Sequence, residues 1–166
     1  MTHKDNILKN LNFGIISVSS TRNIKEDKSG DWIKEAAEKN GHKVVYRSMA
    51  KDDKKDIIIK VSEALDKFKT DALILTGGTG LSEKDVTVEA ISPLFDKTLT
   101  AFSEVFTLVS YNKIGAAAAL SGACAGIIKK KVVFLLPGSL NACQDACNEI
   151  IFSEIGHIVK HLRQND

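Results

Sequence analysis

A glycine-rich segment in the middle of the chain carries the most informative chemistry. It has the sequence Thr76-Gly77-Gly78-Thr79-Gly80 and follows the apolar run at residues 72–75. Glycine lets the backbone approach a ligand closely and turn successive N–H groups toward a negative charge. The segment is neither a P-loop, which ends in Gly-Lys-Ser/Thr, nor a dinucleotide-binding GxGxxG motif. Its spacing leaves both phosphate binding and a simple tight turn open.

A second, shorter turn has the same character. Pro137-Gly138-Ser139 follows the apolar run at residues 132–136. Hydroxyl side chains also gather at the end of the first apolar run: Ser17, Ser19, Ser20 and Thr21. In a parallel sheet the carboxyl ends of the strands meet at one edge, and ligands bind outside that edge. Two anion-binding turns at one edge favour a ligand with more than one anionic group.

Two aspartates are expected beside this edge. Asp52 follows the second apolar run, and Asp85 lies shortly after the glycine segment. Each has a structural alternative, because Ser82 to Asp85 fits a helix capping box and Asp52 could cap a helix that begins near Lys54. Bare negative charge beside phosphates is unfavourable, and Mg²⁺ bound by one or two carboxylates and substrate phosphates would remove the conflict. Capping and magnesium binding both remain open from the residues alone.

Other residues that could do chemistry have simpler explanations. His157 and His161 share a helical face with Glu154, which would suit a metal, but histidines near a helix C-terminus also complement the helix dipole. The three cysteines lie in apolar surroundings, which is typical of packing residues rather than nucleophiles: Cys124, Cys143 and Cys147.

Four apolar runs without polar alternation predict strands buried on both faces. They lie at residues 13–18, 44–47, 72–75 and 132–136. Helical spacing between these runs predicts connecting helices, so the strands should be joined by crossovers into a mainly parallel sheet. The predicted fold is a single three-layer α/β/α domain over residues 13–166, with residues 1–12 as an N-terminal extension.

Helices are predicted from apolar periodicity and from capping residues. The first should begin near Asp31 after a Ser29 cap. The Ala- and Gly-rich stretch at residues 113–128 also predicts a helix, whereas residues 95–110 give no clear pattern. The remaining predicted helices are at residues 54–67, at 84–91 and, as one long or two short helices, at 140–162.

Composition excludes several classes of protein. Lys and Arg number 23 and Asp and Glu 21, so the net charge is +2 and gives no support for nucleic-acid or membrane-surface binding. Apolar residues make up 43% of the chain, but no uninterrupted run approaches the roughly 18 residues of a membrane span. The polar N-terminus lacks a signal-peptide core, and the odd number of cysteines argues against a disulfide framework. We therefore expect a cytoplasmic protein.

With these residues the sequence resembles the MoaB/MogA family of molybdenum cofactor biosynthesis proteins, which is related to the G domains of plant proteins and of animal gephyrin. The resemblance runs from about residue 13 to residue 161. The matching stretches are GIISVSSTR, DKSGDWI, GHKV, LTGGTGLSEKDVTVEAISPLFDK, IGAAAALSGACAG and LPGSLNA. The segment SYNKIG and the C-terminal pattern are more similar to MoaB than to MogA.

The resemblance implies an α/β/α domain that binds molybdopterin and adenylylates its terminal phosphate with ATP and Mg²⁺. It further implies a homotrimer or homohexamer and transfer of the product to a MoeA-type molybdate insertase. Asp52 and Asp85 fall on the catalytic and metal-binding positions. The implied ligand-contacting positions are Ser19, Thr76, Gly77, Gly78, Thr79, Gly80, Glu104, Ser110, Ser121, Pro137, Gly138 and Ser139.

The chain departs from the family pattern where arginines are usual. Related sequences commonly have GFGE-FR and LSRA at places where this chain carries Thr107 and Gly122 in the arginine positions. An arginine is a fixed bidentate phosphate ligand that neither residue can replace, although Lys51, Arg22 or Arg47 could substitute. The departures leave three hypotheses in this order: an active molybdopterin adenylyltransferase, a non-catalytic molybdopterin carrier, and an oligomeric scaffold without a small-molecule site.

Overall fold

A six-stranded sheet organises the residues that the computed structural model describes, which are 8–120 and 122–164. The strands are β1 (Asn12–Val18), β2 (Lys43–Ala50), β3 (Ala72–Thr76), β4 (Lys97–Thr98), β5 (Cys124–Ile128) and β6 (Lys131–Leu136). Across the sheet they follow the order β2-β1-β3-β6-β5-β4. The four strands predicted from the apolar runs are β1, β2, β3 and β6, and they lie side by side.

These four strands are parallel, which brings their carboxyl ends to one edge of the sheet. Ser17 near the end of β1 lies opposite Met49 of β2 and Thr76 of β3. Thr76 in turn lies opposite Leu136, the last residue of β6. The two remaining strands, β4 and β5, run antiparallel to their neighbours and extend the far side of the sheet. The loops that follow the four parallel strands are therefore neighbours in space.

Helices cover both faces of the sheet and complete the three-layer α/β/α fold that the sequence predicts. They are α1 (Lys28–Lys39), α2 (Lys54–Lys67), α3 (Thr87–Ile91), α4 (Thr100–Ile114), α5 (Leu140–Ala146) and α6 (Phe152–Arg163). A π-helical turn, Cys147–Ile151, joins α5 to α6. Apolar residues of α1, α4, α5 and α6 pack on one face, and those of α2 and α3 on the other.

The two apolar layers explain why the strands show no polar alternation. Phe13 and Ile15 of β1 point into one layer, whereas Ile16 and Val18 point into the other, and the first three are fully buried. Nearly all side chains of β1, β3 and β6 therefore lose contact with water whichever way they point, which is worth about 1.5–3 kcal/mol for a fully buried Ile or Phe. Burial on both sides fixes the strands as the frame for the loops at their ends.

The predicted helix at residues 113–128 is wrong. Helix α4 ends at Ile114, where Gly115 adopts a positive φ of 63°, and a short 3-10 helix, Gly115–Leu120, follows. The chain then forms β5, whose last residues are buried against β6. Strand pairing with β6 across the turn at Lys129 and Lys130, and with β4 on the other side, decided this structure, and the high helix propensity of alanine did not.

Two predicted helix starts are also corrected. Helix α1 begins at Lys28, and its cap is Asp27, whose carboxylate accepts the N–H of Gly30, rather than Ser29. Helix α3 begins only at Thr87, because the residues before it form turns. Both differences lie in loops where side chains compete for the first free N–H groups of a helix.

Asp71 joins the two ends of the described chain at the edge of the sheet away from the loops discussed above. Its Oδ2 accepts the N–H of Asn12 at 2.9 Å, and its Oδ1 accepts Arg163 of α6 at 2.7 Å. The amino end of β1 and the carboxyl end of α6 are therefore fixed to the same carboxylate. In the described residues, no helix has both the length and the apolar character that crossing a membrane requires.

Candidate functional site

A cleft of about 350 Å³ opens at the carboxyl ends of the parallel strands, and we call it the site cleft. Four loops contribute to it, because each of β1, β2, β3 and β6 ends there. The lining residues are Ser17, Val18, Ser19, Arg22, Asp52, Thr76, Gly77, Gly78, Thr79, Gly80, Asp85, Leu120, Pro137 and Gly138. Polar backbone, hydroxyls and carboxylates dominate this surface, as the sequence predicts for the edge.

The glycine loop after β3 has a backbone that only glycine fits. Gly77 and Gly78 have φ values of 102° and 67°, a region that side chains disfavour. A Cβ on Gly77 would lie 2.4 Å from the Val18 carbonyl oxygen, and one on Gly78 would lie 2.4 Å from Thr87 Oγ1. The two glycines therefore let the loop pass directly against β1 and α3.

Buried hydrogen bonds hold this loop in one conformation. The N–H of Gly77 donates to the Leu136 carbonyl at 3.0 Å, so the loop is fixed to the end of β6. The fully buried Thr87 binds the other side, because its hydroxyl donates to the Gly77 carbonyl at 2.8 Å and its N–H to the Gly78 carbonyl at 2.9 Å. Rigid backbone dipoles need little reorganisation when a charged ligand binds.

The next N–H groups of the loop are available to a ligand. Among residues 8–120 and 122–164, the N–H groups of Gly78, Thr79 and Gly80 have no hydrogen-bond acceptor. All three residues line the site cleft. Consecutive free N–H groups form a cradle of partial positive charge that suits a phosphate group. This arrangement favours the phosphate-binding interpretation of the glycine segment over a simple turn.

Asp52 is positioned by a reciprocal pair of hydrogen bonds with Ser20. The Ser20 N–H donates to Asp52 Oδ2 at 2.7 Å, and the Asp52 N–H donates to Ser20 Oγ at 3.0 Å. The alternative role for Asp52 as a helix cap is wrong, since Asp53 caps α2 by accepting the Asp56 N–H. Asp52 instead projects toward the site cleft from the loop after β2.

Asp85 reaches the same cleft from the loop before α3. Its Oδ2 accepts the Ser82 N–H at 2.9 Å, so half of the expected capping box is present. The segment is nevertheless a turn and not the first turn of a helix. A Cβ on Gly80 would lie 2.8 Å from Asp85 Oδ2, so this carboxylate packs directly against the glycine loop.

The two carboxylates fit the demands of a magnesium ion that also binds phosphate. Each aspartate uses one oxygen for a backbone N–H, and no described residue donates to the Oδ1 of Asp52 or of Asp85. Within the described residues no group of three His, Cys, Asp or Glu side chains could enclose a metal ion. Mg²⁺ typically takes only one or two carboxylates and fills its other positions with water and phosphate oxygens.

A buried polar network lies below the site cleft. The Ser17 hydroxyl donates to Asp27 Oδ2 at 2.5 Å, and Arg47 donates to the same oxygen at 3.2 Å. Arg47 also pairs with Asp31 at 2.5 Å, while its buried Nε has no hydrogen-bond partner among the described residues. The network connects β1, β2 and α1, and it leaves the lone pairs of Ser17 free to accept from a ligand.

A second cavity, of about 570 Å³, adjoins the site cleft, and we call it the neighbouring pocket. The two cavities share Arg22 and Gly138. Its other lining residues are Thr21, Glu26, Lys28, Ser29, Ser139 and Leu140. Ser29 donates to the Gly138 carbonyl at 3.0 Å, so the turn after β6 forms the wall between the two cavities.

The remaining expected ligand contacts are distributed unevenly. Ser139 lines the neighbouring pocket and caps α5 by accepting the Ala142 N–H. Glu104 and Ser110 lie on α4 and line neither cavity, so the structure does not bring them to this site. Ser121 falls outside the described residues.

The two positions that lack an arginine differ in their distance from the site. Thr107 lies on α4, donates to the Ser103 carbonyl at 2.8 Å and lines neither cavity. Gly122 is close to the glycine loop, since a Cβ there would lie 3.1 Å from the Thr79 carbonyl oxygen. Of the two positions, only Gly122 therefore lies next to the site cleft.

The set of site residues predicted from the sequence omits several lining residues, namely Ser17, Val18, Arg22 and Leu120. Ser17 was visible as a hydroxyl at the end of an apolar run, and Arg22 as one of three cations able to replace an arginine. Leu120 gave no signal, because an exposed leucine after an Ala-rich stretch suggests a helix surface.

The histidines and cysteines take structural roles. His157 pairs with Glu154 at 3.2 Å, and the described residues hold no ligand cluster around it. Cys143 and Cys147 are buried in the core, where burial raises both thiol pKa values, that of Cys143 to about 11. Burial also raises the pKa of Cys124 to about 11. Thiols with raised pKa values are poor nucleophiles at neutral pH.

Comparison with known proteins gives a consistent result. The family described as "Probable molybdopterin binding domain" matches residues 14–157. Molybdopterin adenylyltransferase of Pyrococcus furiosus is 45% identical, over 98% of this chain and 97% of that protein. Molybdenum cofactor biosynthesis protein B of Bacillus cereus is 40% identical, over 98% and 96%. A crystal structure of a molybdenum cofactor biosynthesis protein B superposes with a TM-score of 0.91 at 41% identity, covering 94% of this chain and 98% of that one.

Proposed function

Because the chain belongs to the family of probable molybdopterin-binding domains, in which it is similar to molybdenum cofactor biosynthesis B proteins, we propose that it is a molybdopterin adenylyltransferase. The observation that carries the proposal is the site cleft. It combines three free N–H groups, at Gly78, Thr79 and Gly80, with the carboxylates of Asp52 and Asp85. A site with both features suits phosphate groups that arrive with a divalent cation.

In the proposed reaction an oxygen of the terminal phosphate of molybdopterin attacks the α-phosphorus of ATP. A new phosphorus–oxygen bond forms, the bond from the α-phosphorus to the oxygen that bridges to the β-phosphate breaks, and pyrophosphate leaves. The products are adenylyl-molybdopterin and pyrophosphate. The N–H groups of Gly78 to Gly80 would stabilise negative charge on the transferring phosphoryl group, and the rigid loop would hold the reactants in line.

Asp52 and Asp85 would hold Mg²⁺ through the carboxylate oxygens that the protein leaves without a donor. When bound, the ion supplies positive charge next to the phosphate oxygens. Ser20 and Ser82 would keep the two carboxylates oriented, because their N–H groups already bind one oxygen of each. No protein nucleophile is needed, which agrees with the raised pKa of the cysteine thiols.

The proposal is tested by incubating the protein with molybdopterin, Mg-ATP and pyrophosphatase and measuring adenylyl-molybdopterin. The wild-type protein should form the product. Asp85→Asn should still bind the pterin but lose turnover by about 100-fold or more, as for other losses of a group that stabilises transition-state charge. Glu83→Gln, an exposed acid of the same loop that lines neither cavity, is the matched control and should keep full turnover. Undiminished turnover by Asp85→Asn would contradict the assigned role.

A molybdopterin carrier without ATP chemistry is the second candidate, and Gly122 is the observation that favours it. At this position, beside Thr79, related sequences usually carry an arginine and this chain has no side chain. Calorimetry separates the two functions. Binding of molybdopterin without binding of Mg-ATP and without product supports the carrier, whereas product formation supports the enzyme.

Besides its substrates, the protein is expected to bind further copies of itself. Helix α4 exposes Val105, Leu108, Tyr111 and Ile114, which recur every third residue and each have 45% or more of their surface in solvent. We propose that a homotrimer or homohexamer covers this face, since such an apolar row is unusual for a monomer. Light scattering should give the mass of the oligomer, and Leu108→Glu should lower it. A wild-type monomer would contradict the proposal.

We propose that the protein acts in the cytoplasm, where its adenylylated product would pass to a MoeA-type molybdate insertase. Co-purification with such an insertase, or faster molybdate insertion when both proteins are mixed, would support the transfer.

A further inference from the structure

The site cleft and the neighbouring pocket meet at Arg22, the one residue that lines both with a cationic side chain. Arg22 lies on the exposed loop after β1, where its own N–H donates to Ser19 Oγ at 3.2 Å. Its guanidinium has no hydrogen bond or ion pair with any residue in 8–120 or 122–164. An arginine with five free donors at the boundary of two cavities is arranged to bind an anion.

The other two cations that could replace a missing arginine are not available. Arg47 is bound by Asp27 and Asp31, and only 19% of its side chain is exposed. Lys51 precedes Asp52 but lines neither cavity. Arg22 is therefore the cation that this chain presents at the site in place of the arginine that is absent at Gly122.

The two cavities differ in charge, and the difference indicates which kind of phosphate group each one binds. The site cleft has Asp52 and Asp85 against Arg22, which suits a phosphate group that comes with a metal ion. The neighbouring pocket has Lys28 and Arg22 against Glu26, whose Oε2 already accepts the Asn23 N–H at 3.2 Å. Its excess charge is positive, which suits phosphate oxygens that are not neutralised by a metal.

We propose that the neighbouring pocket is a second phosphate subsite and that Arg22 binds the phosphate groups that extend across the boundary into the site cleft. The inference rests on the proposed function. Lys28 would bind the far end of the same phosphate chain. The ligand chemistry is a di- or triphosphate, of which the polyphosphate of a nucleotide and its pyrophosphate product are the two sources.

The first test measures binding of inorganic pyrophosphate by calorimetry, with and without Mg²⁺. Arg22→Ala should weaken binding about tenfold or more, because it removes charged hydrogen bonds to the anion. Arg22→Lys should bind with intermediate affinity, since lysine keeps the positive charge but cannot form the paired hydrogen bonds of a guanidinium. Lys28→Ala should also weaken binding. Lys25→Ala is the matched control, an exposed cation of the same segment that lines neither cavity, and its affinity should equal that of the wild type.

The second test identifies which substrate supplies the phosphate groups. It also distinguishes a failure of the phosphate subsite from a failure of the proposed enzyme activity. Arg22→Ala should raise the KM for ATP about tenfold while leaving molybdopterin binding unchanged; the reverse would assign the subsite to the phosphate of the pterin and overturn the nucleotide assignment. If the wild-type protein forms the product and Arg22→Ala binds pyrophosphate as tightly as Lys25→Ala does, the subsite alone is overturned. If Arg22→Ala loses pyrophosphate binding but the wild-type protein forms no adenylyl-molybdopterin, the result supports the subsite and contradicts the proposed enzyme.

Discussion

Ser17 and Asp27 share a hydrogen bond of 2.5 Å that joins the floor of the site cleft to the start of α1. Asp27 is buried and also accepts Arg47, so this carboxylate is part of an ion pair from which water is largely excluded. Removing the charge of Asp27 leaves Arg47 paired with Asp31 alone, whose side chain is about half exposed. The network therefore supports both the fold and the cleft above it.

The isosteric substitution Asp27→Asn should lower the free energy of unfolding by about 2 kcal/mol, less than the roughly 3–5 kcal/mol for an uncompensated buried charge, because Arg47 keeps its partner Asp31 and some solvent contact. Urea unfolding measures the change. Glu38→Gln breaks the exposed ion pair between Lys34 and Glu38 and should change stability by less than about 0.5 kcal/mol. Equal effects of the two substitutions would contradict the structural role given to Asp27.

Neighbouring aspartates in the loop after β2 should separate stability from function. Asp53→Ala removes the N-cap of α2 and should cost about 1 kcal/mol of unfolding free energy, with turnover unchanged. Asp52→Asn keeps an acceptor for the Ser20 N–H and should change stability little, while turnover falls about 100-fold or more. Paired unfolding curves and product assays check this. The roles are wrong if Asp53→Ala abolishes turnover while Asp52→Asn keeps it.

The glycine loop can be tested against a glycine of similar backbone conformation elsewhere. Gly78→Ala and Gly41→Ala both place a side chain at positive φ, 67° and 82°, and each should lose about 1–2 kcal/mol for that reason. Only Gly78→Ala adds a clash, with Thr87 Oγ1, and disturbs the free N–H groups. It should therefore lose pyrophosphate binding, whereas Gly41→Ala, with open space around its Cβ, should retain it. Unchanged pyrophosphate binding by Gly78→Ala would remove the loop from the phosphate site.

His42 should make the stability of the fold depend on pH. Its ring packs between Phe13 and Phe152, with ring centroids 5.1 and 6.3 Å away, and its Nδ1 accepts the Leu11 N–H. Burial lowers the pKa of His42 below the usual 6.5, so the unfolded chain binds a proton more readily than the folded one. The unfolding free energy should therefore fall as the pH falls below about 6.5 and level off below the folded-state pKa.

Urea unfolding at about pH 7.5 and pH 5.5 measures this dependence, since that interval spans the ordinary histidine pKa. His42→Asn keeps an acceptor but cannot take up the proton, so it should lose less stability than the wild type between the two pH values. His161→Gln, a substitution of an exposed histidine in α6, serves as the control and should keep the wild-type slope. If His42→Asn shows the full slope, another group is responsible.

The sequence predicts the parallel half of the fold well, because β1, β3 and β6 are buried on both faces and are therefore largely apolar, and the shorter run at residues 44–46 marks the edge strand β2. It also places Asp52 and Asp85 after strands whose ends must meet, and both line one cleft. Strand β5 was missed, since Cys124–Ile128 continues a stretch rich in alanine and glycine and becomes a strand only by pairing with β6. The position of Arg22 between the two cavities cannot be predicted from the neighbouring residues, because the conformation of its loop depends on contacts with residues distant in the sequence.

The Asp71 carboxylate binds both Asn12 and Arg163, so the start of β1 and the end of α6 lie together at the corner remote from the strand ends that form the site cleft. An affinity tag, a fluorescent protein or a surface linker joined to the start of β1 or to the end of α6 would therefore begin on the side of the molecule away from the substrates. Immobilised protein should keep an open cleft, and a fusion joined at this corner could be brought near a second enzyme without blocking entry.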